Sequence, residues 1–182
     1  MMTKQELLDL LVPWENLDLI VDETLLHPEI MNLLVDIALN SNYPRRWRAA
    51  WVADKINDRC PEFIDPYLKD FIAALDTELS PGIKRHILKL ISMHEIPEVH
   101  LSFLLNYCLK CFASPGEPVA VRVHAMQILY NISEKEPEFK PELLTIIQHE
   151  AEIHATPGIR SRGNKLTKKL HQEISRSGIH FI

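Results

Sequence analysis

The sequence predicts an all-α protein built as an α-solenoid of about four to five stacked antiparallel helix pairs, and three observations predict it. Pro44, Pro81, Pro118 and Pro157 stand 37, 37 and 39 residues apart, a period in the range that marks stacked helical repeats. Arg48, Arg85 and Arg122 each follow their proline by four positions, with Arg162 one step late, and Ser80–Pro81–Gly82–Ile83–Lys84 returns as Thr156–Pro157–Gly158–Ile159–Arg160. No stretch shows the period-two alternation of a strand.

Taken in chain order, residues 3–25 read as two helices broken at Pro13–Trp14. They lack the repeat markers, as a terminal capping unit does. A first set of helices then runs over Pro28 to Leu39, Pro66 to Leu75, Val99 to Phe112 and Pro141 to Ile153. Within the third of these Leu101, Leu104, Leu105, Cys108, Leu109 and Phe112 form a stripe broad enough for neighbours on two sides. A second set begins at the marker prolines, over 44–59, 81–93, 118–133 and 157–175. Proline is tolerated at a first helical position because its missing N–H has no partner there. Ser80, Thr156 and Asp65 precede prolines as N-cap residues. Val121, Ala125, Ile128, Leu129 and Ile132 line one face of the third helix of this set, and Leu166, Leu170 and Ile174 leave the last helix a narrow apolar stripe. The expected organisation is one domain, with capping helices in 1–26, repeats in 27–156 and a C-terminal capping helix in 157–182.

Composition narrows the class. Across 182 residues, 46% apolar and 25% charged content is that of a soluble globular protein, and only five glycines argue against a turn-rich β fold. The N-terminus carries acids where a signal peptide needs a basic head, and no apolar run approaches the roughly 18 residues that span a bilayer. Three cysteines make no disulfide framework, so a reducing, cytoplasmic setting is expected.

Pro118–Val119–Ala120–Val121–Arg122–Val123–His124–Ala125–Met126–Gln127–Ile128–Leu129 resembles the second helix of a HEAT repeat, an armadillo-type helical repeat whose pattern is proline, V-R-x-x-A and spaced aliphatics. Pro44 to Ile56 is a looser copy, and the resemblance spans about residues 27–175. It implies a right-handed solenoid with the second helices on the concave face, and it implies scaffolding or binding rather than one chemistry. The chain departs from the family in lacking a regular Asp beside each repeat arginine.

Charge separates by helix set. Counting Lys and Arg against Asp and Glu, segments 43–60, 80–94, 117–135 and 157–182 carry +3, +3, 0 and +5, and the remainder of the chain carries −16. On the resemblance, the second helices would gather Arg45, Arg46, Lys84, Lys89, Arg160, Lys165, Lys168 and Lys169 on one wall that attracts an acidic partner. The in-register arginines Arg48, Arg85 and Arg122 read instead as hydrogen-bonding residues between repeats.

Three constellations resemble catalytic or metal sites. Cys108–Leu109–Lys110–Cys111 spells CxxC, but it lies mid-helix in an apolar stripe without a second pair, so it reads as core. His149 and His154 stand at offset five, roughly 140° apart on a helix, so no zinc-protease face forms and no metal or cofactor is predicted. Trp47, Trp51 and Asp54 share one face of a basic helix. That cluster resembles the HEAT-like DNA glycosylases that repair alkylated bases, where tryptophans and an Asp hold a cationic lesion. Against it stands the reading of two core tryptophans and an Asp54 paired with Arg48 or a helix N-terminus.

The expected function is a non-catalytic scaffold that binds a protein or acidic ligand on its concave face. The alternative is a nucleic-acid-binding protein related to those glycosylases.

Overall fold

The structure, a computed structural model, describes residues 2–154 and 156–177. Residues 178–182 of the expected C-terminal capping segment lie outside the described residues. Among the described residues there are ten α-helices and no strand: α1 (Lys4–Leu10), α2 (Leu17–Leu26), α3 (Ile30–Asn40), α4 (Trp47–Arg59), α5 (Leu68–Ala74), α6 (Pro81–Met93), α7 (Leu101–Ala113), α8 (Val119–Lys135), α9 (Lys140–Ile153) and α10 (Pro157–Ser177). No helix among them is long and apolar enough to cross a membrane. The chain forms two compact units, Met1–His94 and Glu95–Ile182.

In the first unit α4 lies between α2 and α6, and α3 packs on α4 and α1 while α5 packs on α6. The second helices thus form one layer and the first helices another. α4 suits its central place because Ala49, Ala50 and Ala53 are buried and let neighbours approach closely, while Val52 and Ile56 fill the core. In the second unit α8 packs on α7, α9 and α10, and α9 packs on α10. Val121, Ala125 and Leu129 are fully buried there, as the repeat pattern requires.

The helix starts follow local chemistry. α1 opens on a capping box: the Thr3 hydroxyl accepts from the Glu6 N–H, and the Glu6 carboxylate accepts from the Thr3 N–H. The Thr156 hydroxyl accepts from the Ile159 N–H at 3.3 Å. Ser80 is extended at its N-cap position but its side chain makes no cap bond, and Asp65 sits inside a 3-10 turn rather than before a helix. Two expected caps are therefore corrected. Three-residue 3-10 turns also precede α5, α7 and α9, which moves those helix starts by a residue or two from the sequence reading.

The marker prolines do not hold one position. Pro81 and Pro157 are first helical residues, Pro118 is the extended N-cap of α8, and Pro44 lies three residues ahead of α4. Glycine follows only the first two. A Cβ on Gly82 would stand 3.4 Å from Trp47 Cβ, and one on Gly158 would stand 2.9 Å from Val119 Cγ1. The Pro–Gly step thus lets the first turn of α6 lie against α4, and that of α10 against α8.

Candidate functional site

α4 carries the most chemically mixed surface of the first unit. Trp47 and Trp51, one turn apart on the helix, meet Trp14, which projects from the 3-10 turn Trp14–Asn16. Ring centroids lie 6.1 Å apart for Trp14–Trp47 and 5.3 Å for Trp14–Trp51, both tilted. All three tryptophans of the chain converge here. The Arg48 guanidinium lies over Trp14 and Trp47 at 5.6 and 5.7 Å, and the Lys55 ammonium lies 5.6 Å over Trp51. Arg48 also donates to the Leu11 and Val12 carbonyls at the end of α1, and Arg45 donates to Val12 at 3.3 Å. These carbonyls have no helical partner of their own, so the arginines fix the α1 terminus and the aromatic turn together. Trp14 remains 49% exposed.

Asp54 points elsewhere. It is only 4% exposed and faces α6, where His86 Nδ1 lies 3.0 Å from Oδ2 and Lys89 Nζ lies 2.6 Å from Oδ1. Arg85 Nη2 stands 2.8 Å from His86 Nε2. A guanidinium can only donate, so Nε2 accepts and the Nδ1–H donates to Asp54. Burial alone would raise the Asp54 carboxyl, but the bonds from His86 and Lys89 outweigh it and hold it below its ordinary value. Lys89 is pushed the other way: burial lowers its ammonium, and the carboxylates of Asp54 and Asp58 more than restore it. The partners of Asp54 are thus His86 and Lys89, not Arg48 or a helix N-terminus. The tryptophan faces likewise meet the chain's own cations, so the cluster does not offer an open carboxylate beside empty rings.

The eight basic residues singled out from the sequence separate into two kinds. Lys89 bridges Asp54 and Asp58, Lys84 is half-buried with a contact of its own, Arg46 donates to the Leu39 carbonyl at the end of α3, and Arg45 holds Val12. On α10 the picture differs. Arg160, Lys165, Lys168 and Lys169 are exposed; Lys169 lies 5.3 Å over the Tyr130 ring, and the other three have no carboxylate partner among the described residues. Exposed Arg176 continues that face.

Of the in-register arginines Arg122 is buried, Arg48 half-buried and Arg85 exposed. Arg122 is 3% exposed; its Nε donates to the Phe112 carbonyl at 2.8 Å and its Nη2 to Glu150 at 2.7 Å. Arg162 donates to Gln127 at 2.7 Å, bridging α10 to α8. Lys140 joins this second-unit lattice by pairing with Glu134 at 2.5 Å and Glu173 at 3.0 Å. The expected ladder is therefore incomplete: Arg48 and Arg122 bond to neighbouring elements through carbonyls and Glu150, whereas the bond of Arg85 is to the adjacent His86 on its own helix.

Cys108 and Cys111 are buried in α7, and burial pushes the Cys108 thiol well up. His149 is exposed whereas His154 Nδ1 lies 3.0 Å from Glu150, so the two histidines do not converge. Among the described residues no group of three or more His, Cys, Asp or Glu side chains is arranged to hold a metal ion. Trp14, His86 and Glu150 escaped the sequence reading because each lies outside the register of the residue it serves. Only the helix break at Pro13–Trp14 signalled one of them.

No curated protein and no solved structure matches the chain. The family model for the HEAT repeat domain matches residues 5–170. With nearly the whole chain matched, and with the Val121–Ala125–Leu129 face buried, this protein belongs to the HEAT repeat domain family.

Proposed function

We propose that this chain is a non-catalytic helical-repeat scaffold that binds an acidic protein surface through the exposed cations of α10. One observation carries the reading: α10 presents Arg160, Lys165, Lys168, Lys169 and Arg176 to solvent. The only carboxylate on that helix, Glu173, is turned inward toward Tyr130 and Lys140. Packing does not require these cations, and a patch of one sign raises the local concentration of an oppositely charged partner within about a Debye length, ~8–10 Å. The helix offers no aromatic platform for bases, and the chain as a whole carries a net charge of −5. Both features favour a protein partner over nucleic acid.

The test is retention of the chain on immobilised polyglutamate beside immobilised duplex DNA. The expected result is salt-sensitive retention on polyglutamate, weak retention on DNA, and loss of the former in K165E/K168E. Retention of the reversed variant, or a preference for DNA with a steep salt slope, would overturn the reading.

A further inference from the structure

We infer that Trp14, Trp51, Arg45 and Arg48 form a second docking site, in the first unit, for a short peptide segment of a partner protein in which a carboxylate adjoins a large apolar side chain. The inference stands on different residues from α10 and does not rest on the reading above.

Its first support is the apolar surface left open. Trp14 is 49% and its neighbour Val12 45% exposed, and Pro13 between them is exposed as well. The turn that carries them is held in place by the Arg45 and Arg48 bonds and by contact of Trp14 with the rings of Trp47 and Trp51. A rigid, half-buried tryptophan beside arginine is the residue chemistry that dominates binding at protein interfaces, because little ordering remains to be done on association.

Charge then selects the occupant. In this unit Lys4, Lys55, Arg59 and Lys89 each face a carboxylate at 2.5–3.2 Å. Among the described residues Arg45 and Arg48 meet carbonyl oxygens and aromatic rings but no carboxylate. Arg46, Lys69 and Arg85 of this unit likewise face no carboxylate among the described residues, but Arg45 and Arg48 are the cations grouped beside exposed Trp14, so the group complementary to this place is an anion. A long polyanion does not suit the place. Exposed Glu15 lies in the same turn as Trp14, and exposed Asp18 opens α2 directly after it. A continuous phosphate chain would run against those carboxylates, whereas one or two carboxylates beside an apolar anchor would avoid them. The same two arginines disfavour a cationic ligand.

Isothermal titration calorimetry of the full chain with the peptide acetyl-Ser-Asp-Phe-Leu-Asp-Ser-amide tests the site. Saturable binding is expected, weakened about tenfold or more by Arg45→Glu and by Trp14→Ala, each truncating one half of the recognition. The amide analogue acetyl-Ser-Asn-Phe-Leu-Asn-Ser-amide should bind at least about tenfold more weakly, and that difference should persist in K165E/K168E, where the α10 cations no longer contribute. Arg45 also bonds the turn through Val12, so the amide analogue, which leaves the protein unaltered, probes the charge half of the recognition even if Arg45→Glu or Trp14→Ala disturbs the turn. Absence of saturable binding, equal affinity for the amide analogue, unchanged affinity in Arg45→Glu, or displacement of the peptide by oligothymidylate would each overturn the inference.

Discussion

Arg85 and Arg122 occupy the same place after their prolines yet stand in opposite environments. Arg122 is buried between a carbonyl and Glu150, whereas Arg85 is exposed and touches the ring of His86. Removing one member of a buried ion pair leaves an uncompensated charge, which costs about 3–5 kcal/mol. Glu150→Ala should therefore destabilise by that amount in a denaturant melt, and Arg85→Ala by about 1 kcal/mol or less, the net worth of one hydrogen bond. The arginine period was legible because it repeats; the partners were not, since Glu150 and His86 lie on neighbouring helices at spacings no periodicity marks. The Asp54–Lys89 pair gives a prediction in pH. The Asp54 carboxyl is depressed below its ordinary 3.8, so its contribution is complete above that value and vanishes as pH falls through the folded-state value. Lys89 is raised above 10.5, so its contribution is complete below that value and vanishes as pH rises through the folded-state value. Thermal midpoints measured across pH should show a shallower acid limb in Asp54→Asn and a shallower alkaline limb in Lys89→Met.

At the scale of the helix, the apolar face of α8 is the strongest test of the repeat. Leu129 is fully buried, and Leu129→Ala should cost about 2–5 kcal/mol by denaturant unfolding, the range for truncating a core leucine. Gly158 gives a finer test. Its virtual Cβ lies 2.9 Å from Val119 Cγ1, closer than real side chains stand. Gly158→Val should destabilise by about 1–3 kcal/mol through overpacking, and Val119→Ala in the same chain should recover part of the loss. Helix number, order and the break at Pro13–Trp14 could be read in advance, because apolar spacing and proline punctuation act locally. Exact starts could not: the same proline serves as N1 in α6 and α10, as N-cap in α8, and stands apart from α4. What decides among these is contact with the preceding helix, and a lone segment does not carry that information. The Pro–Gly repetition was visible in the sequence, but its cause, the approach to Trp47 and Val119, belongs to tertiary packing.

For the whole molecule, the charge asymmetry between helix sets survives folding in altered form. The cations of α4 and α6 are largely spent on internal bonds, and those of α10 stay in water. Counting charge by segment could reveal the surplus but not its use, since a paired and a free lysine look alike in sequence. The buried CxxC carries its own expectation: reduced protein should contain no stoichiometric zinc, and chelators should leave its melting point unchanged. The convergence of Trp14, Trp47 and Trp51 has a practical consequence as well. All of the indole fluorescence of this protein originates in the unit Met1–His94, while far-ultraviolet circular dichroism sums the helices of both units. One sample therefore carries a local reporter and a global one without any label. Introduced into the unlit half, Leu129→Ala becomes a meter: the fraction of its destabilisation that reaches the tryptophan signal is the coupling between the two halves of the chain.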